Sequence, residues 1–173
     1  LFELLRDFGV NQLNVSSILD SFESIPGKQF YTRTHCITRD RSHLIITGKN
    51  EIPEADILIG PETRHLDHPV HLIFSIIPNS PGFSIPTEKK YAVLDADKIS
   101  YPLKLRTWRA GDKFRPLGLK GSKKISDFLI NNKIALPDKK HILVLETAGK
   151  IAWIVNHRID NSFRITKVTR KIL

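Results

Sequence analysis

Methionine is absent from the 173 residues, and cysteine occurs once, at Cys36. A lone thiol forms no internal disulfide, which excludes a disulfide-stapled secreted scaffold and fits a reducing cytoplasm. Cys36 lies in a strand expected over 30–38 and reads as a small apolar packing residue. No apolar run approaches the roughly 20 residues that a membrane helix needs. The longest, Ile151–Val155, has strand length. The amino end carries no secretion-signal pattern. Leu1 is no initiator, and the missing methionine marks the chain as part of a longer protein. Catalytic signatures are missing too. There is no Ser/His/Asp elbow, no conspicuous carboxylate pair, no Gly-Lys-Ser/Thr phosphate loop and no dinucleotide fingerprint.

Acidic residues are scarce where basic ones are dense. Residues 98–173 hold 18 Lys/Arg against 5 Asp/Glu, a net of +13, while residues 1–97 carry a net of −4. A basic lobe beside a mildly acidic one points to a polyanionic partner, and nucleic acid is the commonest. The 40% hydrophobic content supports a sizeable core. The length suits one ordinary domain or two small ones.

The periodicity predicts an α+β chain in three parts. Phe2, Leu5 and Phe8 keep helical spacing up to Gly9, and Asn14 reads as the cap of a second helix carrying Val15, Ile18, Leu19 and Phe22. This short helical hairpin, 1–26, is the end of a larger helical region. From 27 to 97 the period is two. Strands are expected over 29–38, 43–47, 57–59, 70–77 and 91–94, with a turn at Arg39-Asp40-Arg41-Ser42 and a loop over 79–90. The basic domain, 98–173, opens with a strand at 103–108. It continues through a helix capped by Ser122, with Ile125, Phe128 and Leu129 as its apolar stripe. Strands at 142–146, 151–155 and 163–168 complete it. Gly149 supplies the turn between the first two of these.

The candidate site is the glycine-punctuated loop 108–124. Gly111, Gly118 and Gly121 permit an anion-binding nest, and the expected helix start beside Lys120, Lys123 and Lys124 suits a phosphate. Arg106, Arg109 and Arg115 are the forked donors, whereas Lys104 supplies only a point charge. Lys113, Arg158 and Arg164 extend the positive set, and Trp108 can stack on a base or ribose. Asp112 and Asp127, the only acids read as near this loop, serve as tethers for cations or hydrogen-bond acceptors. Trp153 reads as core. His65, His68 and His71 recur at three-residue intervals, but Pro69 prevents their sharing a helical face. Three other readings compete: a stand-alone nucleic-acid module, an interaction domain for an acidic protein, and a metal-dependent hydrolase built on those histidines.

One run is specific. Arg109-x-Gly111-Asp112-Lys113-Phe114-x-Pro116-x-Gly118, then Gly121-x-Lys123-Lys124-Ile125-x-x-Phe128-Leu129, resembles the carboxy-terminal domain of bacterial tRNA(Ile)-lysidine synthases. Lys133-Ile134, Gly149-Lys150-Ile151-x-Trp153, Arg158-Ile159 and Phe163-x-Ile165-Thr166 continue the likeness over about residues 102–173. Asn156-His157, where glycine is expected, and Lys139-Lys140, where arginine is usual, depart from it. The resemblance implies a fold similar to a small domain of the phenylalanyl-tRNA synthetase β subunit. It also implies a role in recognising a tRNA(Ile) with a CAU anticodon, within a cytoplasmic ligase that joins lysine to the wobble cytidine. ATP, Mg²⁺ and lysine would bind a separate amino-terminal domain with a Ser-Gly-Gly-x-Asp-Ser loop. That loop is absent here, so these residues would be inactive alone and hold no cofactor. Pairing into a homodimer stays open.

Overall fold

The computed structural model describes residues 1–48 and 56–173. Residues 49–55, part of the expected 27–97 domain, lie outside the described residues. Residues 1–48 group with Lys133–His141, and residues 56–132 with Ile142–Leu173. Helices and strands are mixed. The helices are α1 (Phe2–Leu5), α2 (Gln12–Asp20), α3 (Ile125–Asn131) and α4 (Leu136–Lys139). The strands are β1 (Gln29–Tyr31), β2 (His35–Asp40), β3 (His43–Gly48), β4 (Ile57–Ile59), β5 (His65–Leu66), β6 (Leu72–Ile73), β7 (Ile77–Pro78), β8 (Leu103–Thr107), β9 (Lys113–Phe114), β10 (Lys123–Lys124), β11 (Leu143–Thr147), β12 (Lys150–Ile154), β13 (Arg158–Ile159) and β14 (Lys171–Ile172).

In the first unit Asn11, not Asn14, caps α2. Its side-chain oxygen accepts the Asn14 amide at 2.9 Å, so the helix begins at Gln12 rather than Val15. Ile18 is fully buried with Leu5, Val10 and Ile37, but Leu19 and Phe22, expected on the same stripe, stay exposed. The run expected as one strand over 29–38 is two. The Thr32 hydroxyl breaks it by donating to the Phe8 carbonyl at 2.7 Å and accepting the His35 amide at 3.0 Å. A side chain that bonds the backbone in this way competes with the ladder. β1, β2 and β3 then form an antiparallel meander that sets Ile37 opposite both Phe30 and Ile46. The short helix α4 has no counterpart in the periodicity; it starts with Pro137 in its first turn, where a missing N–H is harmless.

In the second unit an antiparallel sheet runs in the order β13-β12-β11-β8-β4. Its residues Ile59, Leu103, Leu105, Leu145 and Trp153 make one core. Ala148 and Gly149, at φ 45° and 74°, form the two-residue turn from β11 to β12. Two consecutive left-handed residues match the twist of a tight hairpin.

Three expected strands fail. The stretch 70–77 keeps only the short pieces β6 and β7. Residues 91–94 belong to no strand, although Leu94 and Leu173 exchange both backbone hydrogen bonds at 2.9 Å. Of residues 163–168, Phe163 closes a 3₁₀ turn, Asn161–Phe163, and the rest form no strand. There the Thr169 hydroxyl accepts the Thr166 amide at 2.9 Å and donates to the buried Asp95 at 2.8 Å, closing a local turn that a ladder would break. Beyond the turn Lys171–Ile172 pairs with β7, and Ile172 also bridges Asp95.

Candidate nucleic-acid interface

β8 leaves the sheet into the loop 108–112. β9 and β10 then form a hairpin whose tip is 115–122, and β10 runs directly into α3. The hairpin register pairs Lys123 with Phe114 and Lys124 with Lys113. Cross-strand partners share a side of the ladder. Phe114, 3% exposed, turns inward and meets Phe128 edge-on at 5.1 Å. Lys113 and Lys124 therefore stand together on the exposed face. Like charges directly opposite one another destabilise a hairpin, and an external anion relieves them.

The loop before the hairpin is held from inside. Arg106 is 9% exposed, and its guanidinium binds two acids. It donates to Glu146 at 2.8 Å and grips both oxygens of Asp112 at 2.8 and 3.1 Å. Asp112 also accepts the Arg109 amide at 2.7 Å. Burial pushes the Asp112 carboxyl up, but the Arg106 hydrogen bonds and the Arg109 amide outweigh it and hold the carboxyl below its usual range. The same hydrogen bonds raise the Arg106 guanidinium further. Arg106 thus differs from the other predicted cations: its donors are occupied in the interior and it shapes the loop. Asp112 is the tether that the sequence suggested.

The remaining predicted cations are accessible. Lys113, Arg115, Lys120 and Lys124 are exposed, and Lys123 is half-buried with its ammonium 2.5 Å from the Asn131 side chain. Arg109 is exposed but bonded to Asp56 at 2.7 Å. Trp108 is half-buried just past β8, its backbone N–H on the Ile142 carbonyl.

Arg158 and Arg164 join the hairpin tip through hydrogen bonds. The Arg158 guanidinium donates to the Leu117 carbonyl at 2.9 Å. Asn161 donates its amide to the Arg115 carbonyl at 2.7 Å and accepts from Arg164 at 3.1 Å. Gly118 and Gly121 sit at φ 85° and 83° with open space where a side-chain carbon would stand, so backbone conformation rather than crowding requires glycine there.

Two expectations about this loop change. Ser122 does not cap α3. Lys124 occupies the cap position without a side-chain bond, because Lys123 and Lys124 are extended and paired with β9. The Ile125 amide, the first of the helix, donates to the Asp112 carbonyl at 2.9 Å. The amides of Leu117 and Leu119 are likewise taken by the carbonyls of Ile159 and Pro116.

Nor are Asp112 and Asp127 the only acids near the loop. Glu146 and Asp56 hold its cations, and the buried Asp160 accepts the Arg115 amide at 2.6 Å and the Ser162 amide at 2.7 Å. The Asp160-Asn161-Ser162 run is a local capping signal, but its reach to Arg115 spans 45 positions and leaves no local mark.

The histidines do not converge. His71 bonds Asp67 at 3.1 Å, and among the described residues no group of three or more His, Cys, Asp or Glu could hold a metal ion. No helix among them is long and apolar enough to cross a membrane.

The TilS substrate binding domain matches residues 1–51, and the TilS substrate C-terminal domain matches residues 103–172. The tRNA(Ile)-lysidine synthase of Parabacteroides distasonis is 36% identical over 173 residues, which is 100% of this chain and 40% of the relative. The chain belongs to the tRNA(Ile)-lysidine synthase family. The family member from Bacteroides thetaiotaomicron is 35% identical over the same 173 residues, covering 38% of its own length. The chain thus spans about two-fifths of the curated relatives it matches. A crystal structure of a TilS C-terminal domain shares the fold with a TM-score of 0.51 at 23% identity, over 67% of this chain and 85% of that one.

Proposed function

We propose that residues 98–173 carry the tRNA-binding surface of an ATP-dependent tRNA(Ile)-lysidine synthase. The substrate is a tRNA(Ile) with a CAU anticodon, whose wobble cytidine receives lysine. ATP, Mg²⁺ and lysine belong to a separate catalytic domain in the cytoplasmic enzyme. A recognition role for this chain, with catalysis in the separate domain, fits a sequence in which no Ser-Gly-Gly-x-Asp-Ser run occurs. The small β-rich domain of the phenylalanyl-tRNA synthetase β subunit is the proposed structural cousin. Gel filtration of the complex decides whether one or two copies bind each tRNA.

The observation that carries this reading is the facing pair Lys113 and Lys124 on an exposed hairpin, with Arg115 and Lys120 at its tip, Arg158 bonded to that tip and Arg164 linked to it through Asn161. Phosphate binding rather than base readout is the expected mode, because an A-form stem hides its deep major groove. Arg109 and Trp108 complete the surface, while Arg106 acts through the loop that it shapes. The test is a Lys123→Ala/Lys124→Ala variant of the full-length enzyme, titrated with the tRNA across a salt series. The affinity should fall, and the log–log salt slope should flatten by about 0.7–0.9 for each phosphate no longer neutralised. An unchanged affinity and slope would sink the reading.

A further inference from the structure

The tip of the basic hairpin exposes apolar side chains among its cations. Leu119 is 54% exposed and Leu117 36%, and the exposed Arg115 and Lys120 flank them along the chain. Neither of those cations has a side-chain partner among the described residues. The backbone of the tip is fastened. Arg115 bonds Asp160 and Asn161, Pro116 bridges Asp160, the Leu117 amide donates to Ile159 at 3.2 Å and the Leu119 amide to Pro116 at 3.0 Å. The Leu117 carbonyl accepts from Arg158 at 2.9 Å. With these groups satisfied, what the tip presents is its side chains. One exposed leucine is ordinary. Two on a clamped loop, bracketed by unpaired cations, make an apolar centre with a charged rim, the anatomy of a contact surface.

We infer that Leu117 and Leu119 enter the minor groove of a helical RNA stem and pack on its riboses, while Arg115 and Lys120 meet the phosphates along its edges. The cations select a polyanion, and the leucines require one that also offers apolar area. Phosphate rows alone offer none. The minor groove of an A-form stem is wide and shallow and lays its sugars open to side chains. A B-form minor groove is only about 6 Å wide. Paired strands already stand about 4.8 Å apart between backbones, so a hairpin tip with its side chains does not fit there. The inference rests on the tRNA reading above and adds to it an attraction that salt does not screen.

The test titrates the full-length enzyme with its tRNA across a salt series, as wild type, Leu119→Ala, Leu119→Met and Lys123→Ala/Lys124→Ala. A half-exposed leucine has about half of its burial free energy still to gain, so Leu119→Ala should weaken binding about three- to tenfold at every salt concentration. Its salt slope should match wild type, because no charge is lost. Leu119→Met should retain the affinity. Titrations with RNA and DNA duplexes of equal length read the groove: the Leu119→Ala loss should appear on RNA alone. Undiminished tRNA affinity in Leu119→Ala, a slope that flattens with it, or an equal loss on DNA would each overturn the inference. So would altered sedimentation of the free Leu119→Ala enzyme, which would give the leucines to a second copy. A weaker, flatter response in Lys123→Ala/Lys124→Ala beside an indifferent Leu119→Ala overturns the leucine assignment alone. Indifference in both variants overturns the tRNA reading with it.

Discussion

Replacing Arg106 with alanine should destabilise the fold strongly, although the residue offers no donor to an outside ligand. The Arg106 side chain is 8% exposed, and the two carboxylates it neutralises, Asp112 and Glu146, are 15% and 14% exposed. Removing the cation strands two partly buried anions, with Lys104 3.9 Å from Glu146 as a weak substitute. Breaking a buried ion cluster by deleting one partner costs about 3–5 kcal/mol. For a chain of this size that corresponds to a fall in Tm of roughly 6–20 °C.

Calorimetry of wild type and Arg106→Ala measures the loss. The triple variant Arg106→Met/Asp112→Asn/Glu146→Gln, which strands no charge, should regain at least half of it. The pH dependence supplies a second readout. The folded Asp112 carboxyl titrates below its usual value of 3.8, so near that pH the unfolded chain holds more protons. The Asp112 contribution is therefore whole above about pH 4 and is lost as pH falls through the lower folded value. The gap between wild type and Arg106→Ala should narrow over the same window. A loss below about 1 kcal/mol at neutral pH, or a gap that stays constant down to about pH 2, would refute the reasoning.

Other residues give separate checks. The Lys113→Ala/Lys124→Ala variant should be slightly more stable, by a few tenths of a kcal/mol, because two facing like charges are gone; the same protein should bind tRNA more weakly with a flatter salt slope. Thr147, 2% exposed, both accepts the Ser100 amide and donates to the Ser100 carbonyl at 2.8 Å, so Thr147→Val should lose about 1–3 kcal/mol in urea unfolding. Burial, with a smaller push from the Lys89 charge, lowers the His157 imidazole from its usual 6.5. The unfolded state therefore takes up that proton first, and stability should decline as pH drops below 6.5; His157→Phe should remove that part of the slope in acid-titrated melts.

Local chemistry was legible wherever local chemistry decided the outcome. The alternation of Leu103 to Thr107, the stripe of Ile125, Phe128 and Leu129, and the burial of Trp153 all follow from spacing alone. So does the density of charge around Gly118 and Gly121. Hidden features depend on partners far along the chain. Arg106 looks like its neighbours on the sequence, and only the sheet brings Glu146 alongside it. Asp160 reaches Arg115 for the same reason. Hydroxyl groups mislead most: Thr32, Thr166 and Thr169 suit a strand by propensity, yet each sits in a turn that a threonine oxygen closes. Ser122 is a good cap by type, but the pairing of Lys123 and Lys124 with β9 moves the helix start beyond it.

The paired backbone bonds between Leu94 and Leu173 have a practical corollary for anyone purifying the protein. Because Leu173 also borders a cavity beside Trp153, a preparation clipped ahead of it loses the partner of Leu94 and one wall of that cavity together.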